Sequence, residues 1–81
     1  MKLRRVVAQN LRRMRLERGL SQEELAHRAG VNRNYIGMLE RAENAPTVDV
    51  LEKLAEVLQV DAGAFFSLGE QTGSGALSGE P

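Results

Sequence analysis

The chain has 81 residues, enough for one domain with a modest core, and carries no cysteine and a single histidine, His27. Disulfides, thiolate-metal sites and a multi-histidine metal site are therefore excluded as supports for that core. Eleven Lys and Arg balance eleven Asp and Glu, which argues against indiscriminate coating of nucleic acid. No apolar run approaches the roughly 18 residues of a membrane span.

In chain order, the hydrophobic spacing predicts five short helices. The first covers about residues 2–18, with Val7, Leu11 and Met14 facing inward. Gly19 ends it, and Leu20 enters the core. Ser21 caps the second helix, about residues 22–29, and Glu24 closes a capping box three residues on. This helix buries Leu25, Ala26 and Ala29, and the small Ala26 lets the next helix approach closely. Gly30 stops it, since a glycine takes the left-handed conformation without a Cβ penalty. After Val31, Asn32 caps the third helix, about residues 33–41, which buries Ile36 and Leu39.

Residues 42–46 read as a loop, because Pro46 disfavours helix at Ala45. Thr47 caps the fourth helix, which runs to about Leu58 with Val48, Leu51, Leu54, Ala55 and Leu58 inward. Val60 plugs the core, Asp61 caps a last helical turn, and Phe65 and Phe66 close it. No strand pattern appears, so the expected class is all-α. From Ser67 the composition turns to Gly, Ser and polar residues, too poor in apolar surface to offset ordering entropy. The domain is thus expected over 1–66, with a flexible tail or linker over 67–81.

The neutral total hides an asymmetry. Residues 1–41 hold ten Lys and Arg against four acids, whereas residues 42–81 hold Lys53 against seven acids. Such a polar molecule is suited to present one face to phosphates. The basic start, MKLRRVVAQNLRR, is followed by no signal-peptide apolar region, which predicts an intracellular, cytoplasmic protein without a membrane partner.

The stretch 21–41, SQEELAHRAGVNRNYIGMLER, is the most informative. Two short helices joined by a tight turn make a helix-turn-helix, whose second helix has an outer face that fits a DNA major groove. Arg33, Asn34, Tyr35 and Met38 occupy positions that its buried residues leave free. Arg33 suits a guanine edge or, equally, a phosphate; Asn34 suits an adenine. Met38 suits a thymine methyl or a place in the core. Tyr35 either presents its hydroxyl to a base edge or packs half-buried. Gln22, at the start of a helix whose N–H groups and dipole favour anions, is a phosphate candidate. Asn32 is first a cap and second a phosphate contact. Arg41 and Asn44 suit phosphate after the helix. Arg4, Arg5, Arg12 and Arg13 read as an exposed helix face, with flanking phosphates as the alternative. Without cysteine, with one histidine and with no paired-carboxylate site, neither enzyme activity, catalytic residue, metal nor cofactor is expected.

With those residues in place, the chain resembles the lambda-repressor-like DNA-binding domains of the Cro/C1 or Xre type. The motif elements are Arg15, GLSQEELAHRAGV at 19–31, YIGMLER at 35–41 and APTVDVLEKLAEVLQV at 45–60, covering about residues 7–66. The block NRNYIGMLERAEN is also similar to the small controller proteins of restriction–modification systems. The resemblance implies a compact five-helix fold and a nucleoid-associated, sequence-specific transcriptional regulator with base contacts at Arg33, Asn34 and Met38. It also implies an ion pair between Arg15 and Glu40 that joins the first helix to the third in a structural role.

One recognition helix reads only about four or five base pairs, so a homodimer on a palindromic operator is expected, with recognition helices about 34 Å apart. The dimer surface is expected around Val57, Ala64, Phe65 and Phe66, unless both phenylalanines are internal. The family often has glycine where Ala42 and Gln59 stand. A positive φ at Ala42 would be strained, so the loop after the third helix is expected to bend differently. The competing expectation is a protein-interaction module, antitoxin-like or docking RNA polymerase, with little DNA affinity.

Overall fold

Among the described residues, each of four α-helices ends at a stop that the local sequence supplies, and three of them also begin at a side-chain cap. The computed structural model describes residues 3–68. Its elements are α1 (Leu3–Glu17), α2 (Gln22–Ala29), α3 (Arg33–Glu40), α4 (Val48–Leu58) and a closing 3-10 turn (Ala62–Phe66). Among the described residues there is no strand, and no helix is long and apolar enough to cross a membrane. The tail expected over 67–81 lies outside the described residues except for Ser67 and Leu68.

The caps satisfy N–H groups that have no partner within the helix. Ser21 Oγ accepts from the Glu24 N–H at 2.9 Å, while Glu24 Oε1 accepts from the Ser21 N–H at 2.9 Å. Asn32 Oδ1 accepts from the Asn34 N–H at 2.7 Å, and Thr47 Oγ1 from the Val50 N–H at 3.1 Å.

All four helices end alike. Gly19, Gly30, Ala42 and Gln59 are left-handed, with φ of 69, 73, 61 and 58°. In each case the next residue donates back to the helix: Leu20 to the Arg15 carbonyl (3.1 Å), Val31 to Ala26 (2.9 Å), Glu43 to Met38 (2.9 Å) and Val60 to Ala55 (3.0 Å). This wrap satisfies terminal carbonyls and turns the chain sharply. Ala42 thus keeps the bend a glycine would give instead of rerouting the loop. For a residue with a Cβ that conformation costs about 1–2 kcal/mol.

The stops fold the helices around one core. Leu11, Leu25, Ile36, Leu39, Leu54, Leu58 and Phe65 are its fully buried side chains, each contributing about 1.5–3 kcal/mol by leaving water. α1 packs on α3 and on the 3-10 turn, and α2 packs on α3 and α4. Two polar side chains of α1 fasten the far end of the chain. The buried Asn10 donates through Nδ2 to the Phe65 and Ser67 carbonyls, both at 2.8 Å. Arg18 Nε donates to the Leu58 carbonyl at 2.8 Å, satisfying a terminal group of α4.

Four expectations change. The fifth helix is a five-residue 3-10 turn, and the Asp61 side chain makes no capping bond to it. Val48 is 73% exposed, because as the first residue of α4 it lies beyond the core's edge. Phe65 is fully buried, whereas its neighbour Phe66 is 38% exposed. Adjacent residues of a 3-10 turn point about 120° apart, so only one ring reaches the interior. Phe65 therefore offers nothing to a dimer surface.

Candidate nucleic-acid interface

α3 has two distinct sides. Ile36 and Leu39 are buried against the core and fix the helix in place. On the other side, Arg33, Gly37 and Arg41 follow one another at intervals of four residues, with Asn34 and Met38 alongside. Together with Gln22 from the start of α2, these residues line a shallow depression of about 260 Å³. Gly37 forms its floor. A Cβ at that position would stand 3.0 Å from Arg41 Nη1 and 3.7 Å from Gln22 Oε1.

A buried polar joint sets the angle of this face. Arg15 Nε donates to Glu40 Oε2 at 2.6 Å and Arg15 Nη2 to Glu40 Oε1 at 3.1 Å, a two-pronged pairing of α1 with α3. Arg15 Nη1 donates to the Leu20 carbonyl at 2.8 Å. Gln22 Nε2 donates to Glu40 Oε1 at 3.1 Å. Glu40 therefore holds α1, α2 and α3 together. Its side chain is 3% exposed and that of Arg15 9%, so the two charges answer each other where water cannot.

The rim of the depression is cationic and exposed. Arg41 Nε and Nη2 donate to Glu43 Oε2 and Oε1 at 2.8 and 3.2 Å. That charge-assisted pairing raises the Arg41 guanidinium above its ordinary pKa and holds the Glu43 carboxyl below the usual carboxylate value.

Of the sequence candidates, Gln22, Arg33, Asn34, Met38 and Arg41 are gathered in one place. Tyr35 is half-buried and packs against the core, away from the depression. The side-chain oxygen of Asn32 is committed to its cap. Asn44 is half-buried in the loop after α3, outside the depression. Arg4 and Arg5 border a second shallow recess with Leu3 and Ala42. Arg12 and Arg13 lie along α1 beside Glu40, with Arg13 paired to Glu17 at 3.2 Å. Val57 and Ala64 are half-buried and pack against the core, whereas Phe66 is exposed. Among the described residues, no group of three or more His, Cys, Asp or Glu is placed to hold a metal ion.

Gly37, Glu43 and the bond from Gln22 to Glu40 are not among the sequence candidates. Gly37 did leave a signal, since a glycine inside a helical pattern costs stability and implies a packing or functional reason. The pairing of Arg41 with Glu43 left none, because residues two apart meet only where the helix stops.

Known proteins share this fold. The helix-turn-helix family profile matches residues 11–65. The chain is 43% identical over 60 residues to the uncharacterized HTH-type transcriptional regulator y4dJ of Sinorhizobium fredii, covering 74% of this chain and 78% of that protein. Among solved structures, the hypothetical transcription factor NHTF from Neisseria superposes with a TM-score of 0.80 at 37% identity, covering 84% of this chain and 78% of that one. The restriction-modification controller protein C.AhdI from Aeromonas hydrophila gives a TM-score of 0.75 at 35% identity, covering 78% and 96%. Longer relatives are spanned over as little as 36% of their length.

Proposed function

This chain belongs to the helix-turn-helix family of transcriptional regulators, of the Cro/C1 (Xre) type, and from that premise we propose that it reads a palindromic operator as a homodimer with α3 in the major groove. The observation that carries this reading is the depression on α3 that gathers Gln22, Arg33, Asn34, Met38 and Arg41 around Gly37. Its polar groups match the acceptors of base edges and phosphates, and Met38 supplies an apolar surface for a thymine methyl. Arg33 and Asn34, both exposed near the start of α3, are the base readers. Gln22, through the N–H not given to Glu40, acts with Arg41 and Asn44 on the backbone.

A second copy supplies the other half-site. The dimer surface we assign is Val57, Ala64 and Phe66, without Phe65. Phe66 and, two residues on, Leu68 are 38% and 63% exposed, apolar surface that a partner would cover.

The test is fluorescence anisotropy on a duplex selected from a randomised library, with Arg33→Ala and Asn34→Ala compared with the unaltered chain. Each variant is expected to lose roughly tenfold or more of its sequence preference, the scale of one good base contact, with an unchanged melting temperature. Preference that persists in both variants would remove α3 as the reader. The protein-interaction reading, antitoxin-like or polymerase-contacting, would then take its place.

A further inference from the structure

The depression on α3 is not empty of charge compensation, and the compensating group comes from the chain itself. Arg41 is the last cation of the reading face, yet its Nε and Nη2 are both taken by Glu43 at 2.8 and 3.2 Å. A carboxylate offers the same two-oxygen fork as a phosphate. The backbone places it there. Ala42, at φ 61°, turns the chain back so that the Glu43 N–H bonds the Met38 carbonyl at 2.9 Å. Residues 41 and 43, two apart, then face the same side. The free end of the guanidinium lies over Gly37, with Nη1 3.0 Å from the point a Cβ would occupy. The side chain is thus folded along the reading face and latched there.

We propose that Glu43 is a built-in competitor for DNA phosphate at Arg41, setting how tightly the last turn of α3 grips the backbone. This rests on the reading of the outer face of α3 as DNA-binding. Both side chains are about half exposed, at 58% and 52%, so the latch is exchangeable and not a fixed joint. An exposed carboxyl is charged throughout the neutral range in any case, so Glu43 competes there with or without the further lowering that Arg41 causes. Because phosphates carry no sequence information, the competition lowers affinity alike at every site. Non-selective binding stays weak, and base contacts decide occupancy.

The experiment uses the full chain and two duplexes, a library-selected site and a scrambled one, titrated by anisotropy across a salt series. Four proteins are compared: unaltered, E43Q, R41Q and the double variant. E43Q is expected to tighten both duplexes by the same factor, roughly two- to fivefold, the scale of an exposed ion pair. Its salt slope should steepen by up to about 0.9, the share of one more neutralised phosphate. In the R41Q background the same change should do much less, leaving only the loss of a negative charge near DNA.

Equal tightening by E43Q with and without Arg41 would overturn the proposal, since it would reflect only the loss of a negative charge near DNA. No change on E43Q would overturn it as well. An unaltered chain that binds neither duplex would overturn both this proposal and the DNA-binding reading beneath it. An unaltered chain that binds while E43Q leaves affinity untouched fails the competition alone.

Discussion

Glu40 and Arg41 are adjacent in the chain, and each belongs to a two-pronged arginine–carboxylate pair. The inner pair, Arg15 with Glu40, is 9% and 3% exposed; the outer pair, Arg41 with Glu43, is 58% and 52% exposed. The chemistry and geometry are almost the same, but the surroundings assign opposite roles. In the interior, neither charge has water to fall back on, so each depends on the other and the joint fixes the tilt of α3. At the surface, water replaces either partner at little cost, so the pair can open and its arginine remains available to a ligand. The last turn of α3 is anchored on one side and exchangeable on the other.

The sharpest way to break that comparison is to remove one carboxylate from each pair. Glu40→Ala leaves the Arg15 guanidinium buried without a counter-charge and should cost about 3–5 kcal/mol, lowering the melting temperature by about 10 °C or more in a domain of this size. Glu43→Ala should leave it close to that of the unaltered chain. Thermal circular dichroism decides both. The joint can be probed further with Arg15→Met combined with Glu40→Leu, which removes both charges and is expected to recover most of the loss. A double variant as unstable as Glu40→Ala would place the cost in the bonds to the Leu20 carbonyl and Gln22 rather than in the unpaired charge.

A smaller effect separates the four helix stops. Gly19 and Gly30 have open space where a Cβ would stand, so Gly→Ala at either costs conformation alone, about 1–2 kcal/mol. Ala42 and Gln59 already carry that strain at φ 61 and 58°. Ala42→Gly and Gln59→Gly are therefore expected to stabilise the fold by roughly 0.5–1 kcal/mol each, less than the strain relieved because glycine also gains freedom in the unfolded chain. Chemical denaturation at matched slope checks the sign. Gln59→Gly without a gain would mean that the stop is held by the Val60 bond to Ala55 at negligible strain.

Helices and caps were legible because their causes are local. Ser21, Asn32 and Thr47 each precede a segment whose apolar residues recur at helical spacing, and each forms the cap its side chain allows. Gly19 and Gly30 announce their stops in the same way. The sequence pattern overreached at Val48, which continues the α4 stripe by spacing but has no core opposite it. Phe65 and Phe66 are the same residue type side by side, and only the path of the 3-10 turn decides which is buried. The rest of the fold and of the site depends on partners far apart in sequence. Asn10 meets a carbonyl 55 residues away and Gln22 meets a carboxylate 18 residues away, and no local pattern signals either.

The smallest expected effect concerns acid, and it tests whether a second exposed carboxylate behaves like Glu43. The Ser21 N–H donates to the Glu24 carboxylate, and this bond, with further help from the Ser21 hydroxyl and the Arg28 charge, holds the carboxyl below its ordinary value of 4.5. A group whose pKa is lowered by folding stabilises the fold above its unfolded value and loses that contribution as pH falls through its folded value. The start of α2 should therefore weaken progressively as pH falls through about 4.5, where the free carboxyl is half protonated, and on through the lower folded value. Glu24→Gln keeps a capping-box side chain but cannot titrate. Its melting temperature should therefore fall less steeply than that of the unaltered chain between about pH 5 and pH 3. Curves that run parallel over that range would show that the box does not depend on the charge of Glu24, so that its carboxylate, like that of Glu43, adds little to the stability of the fold.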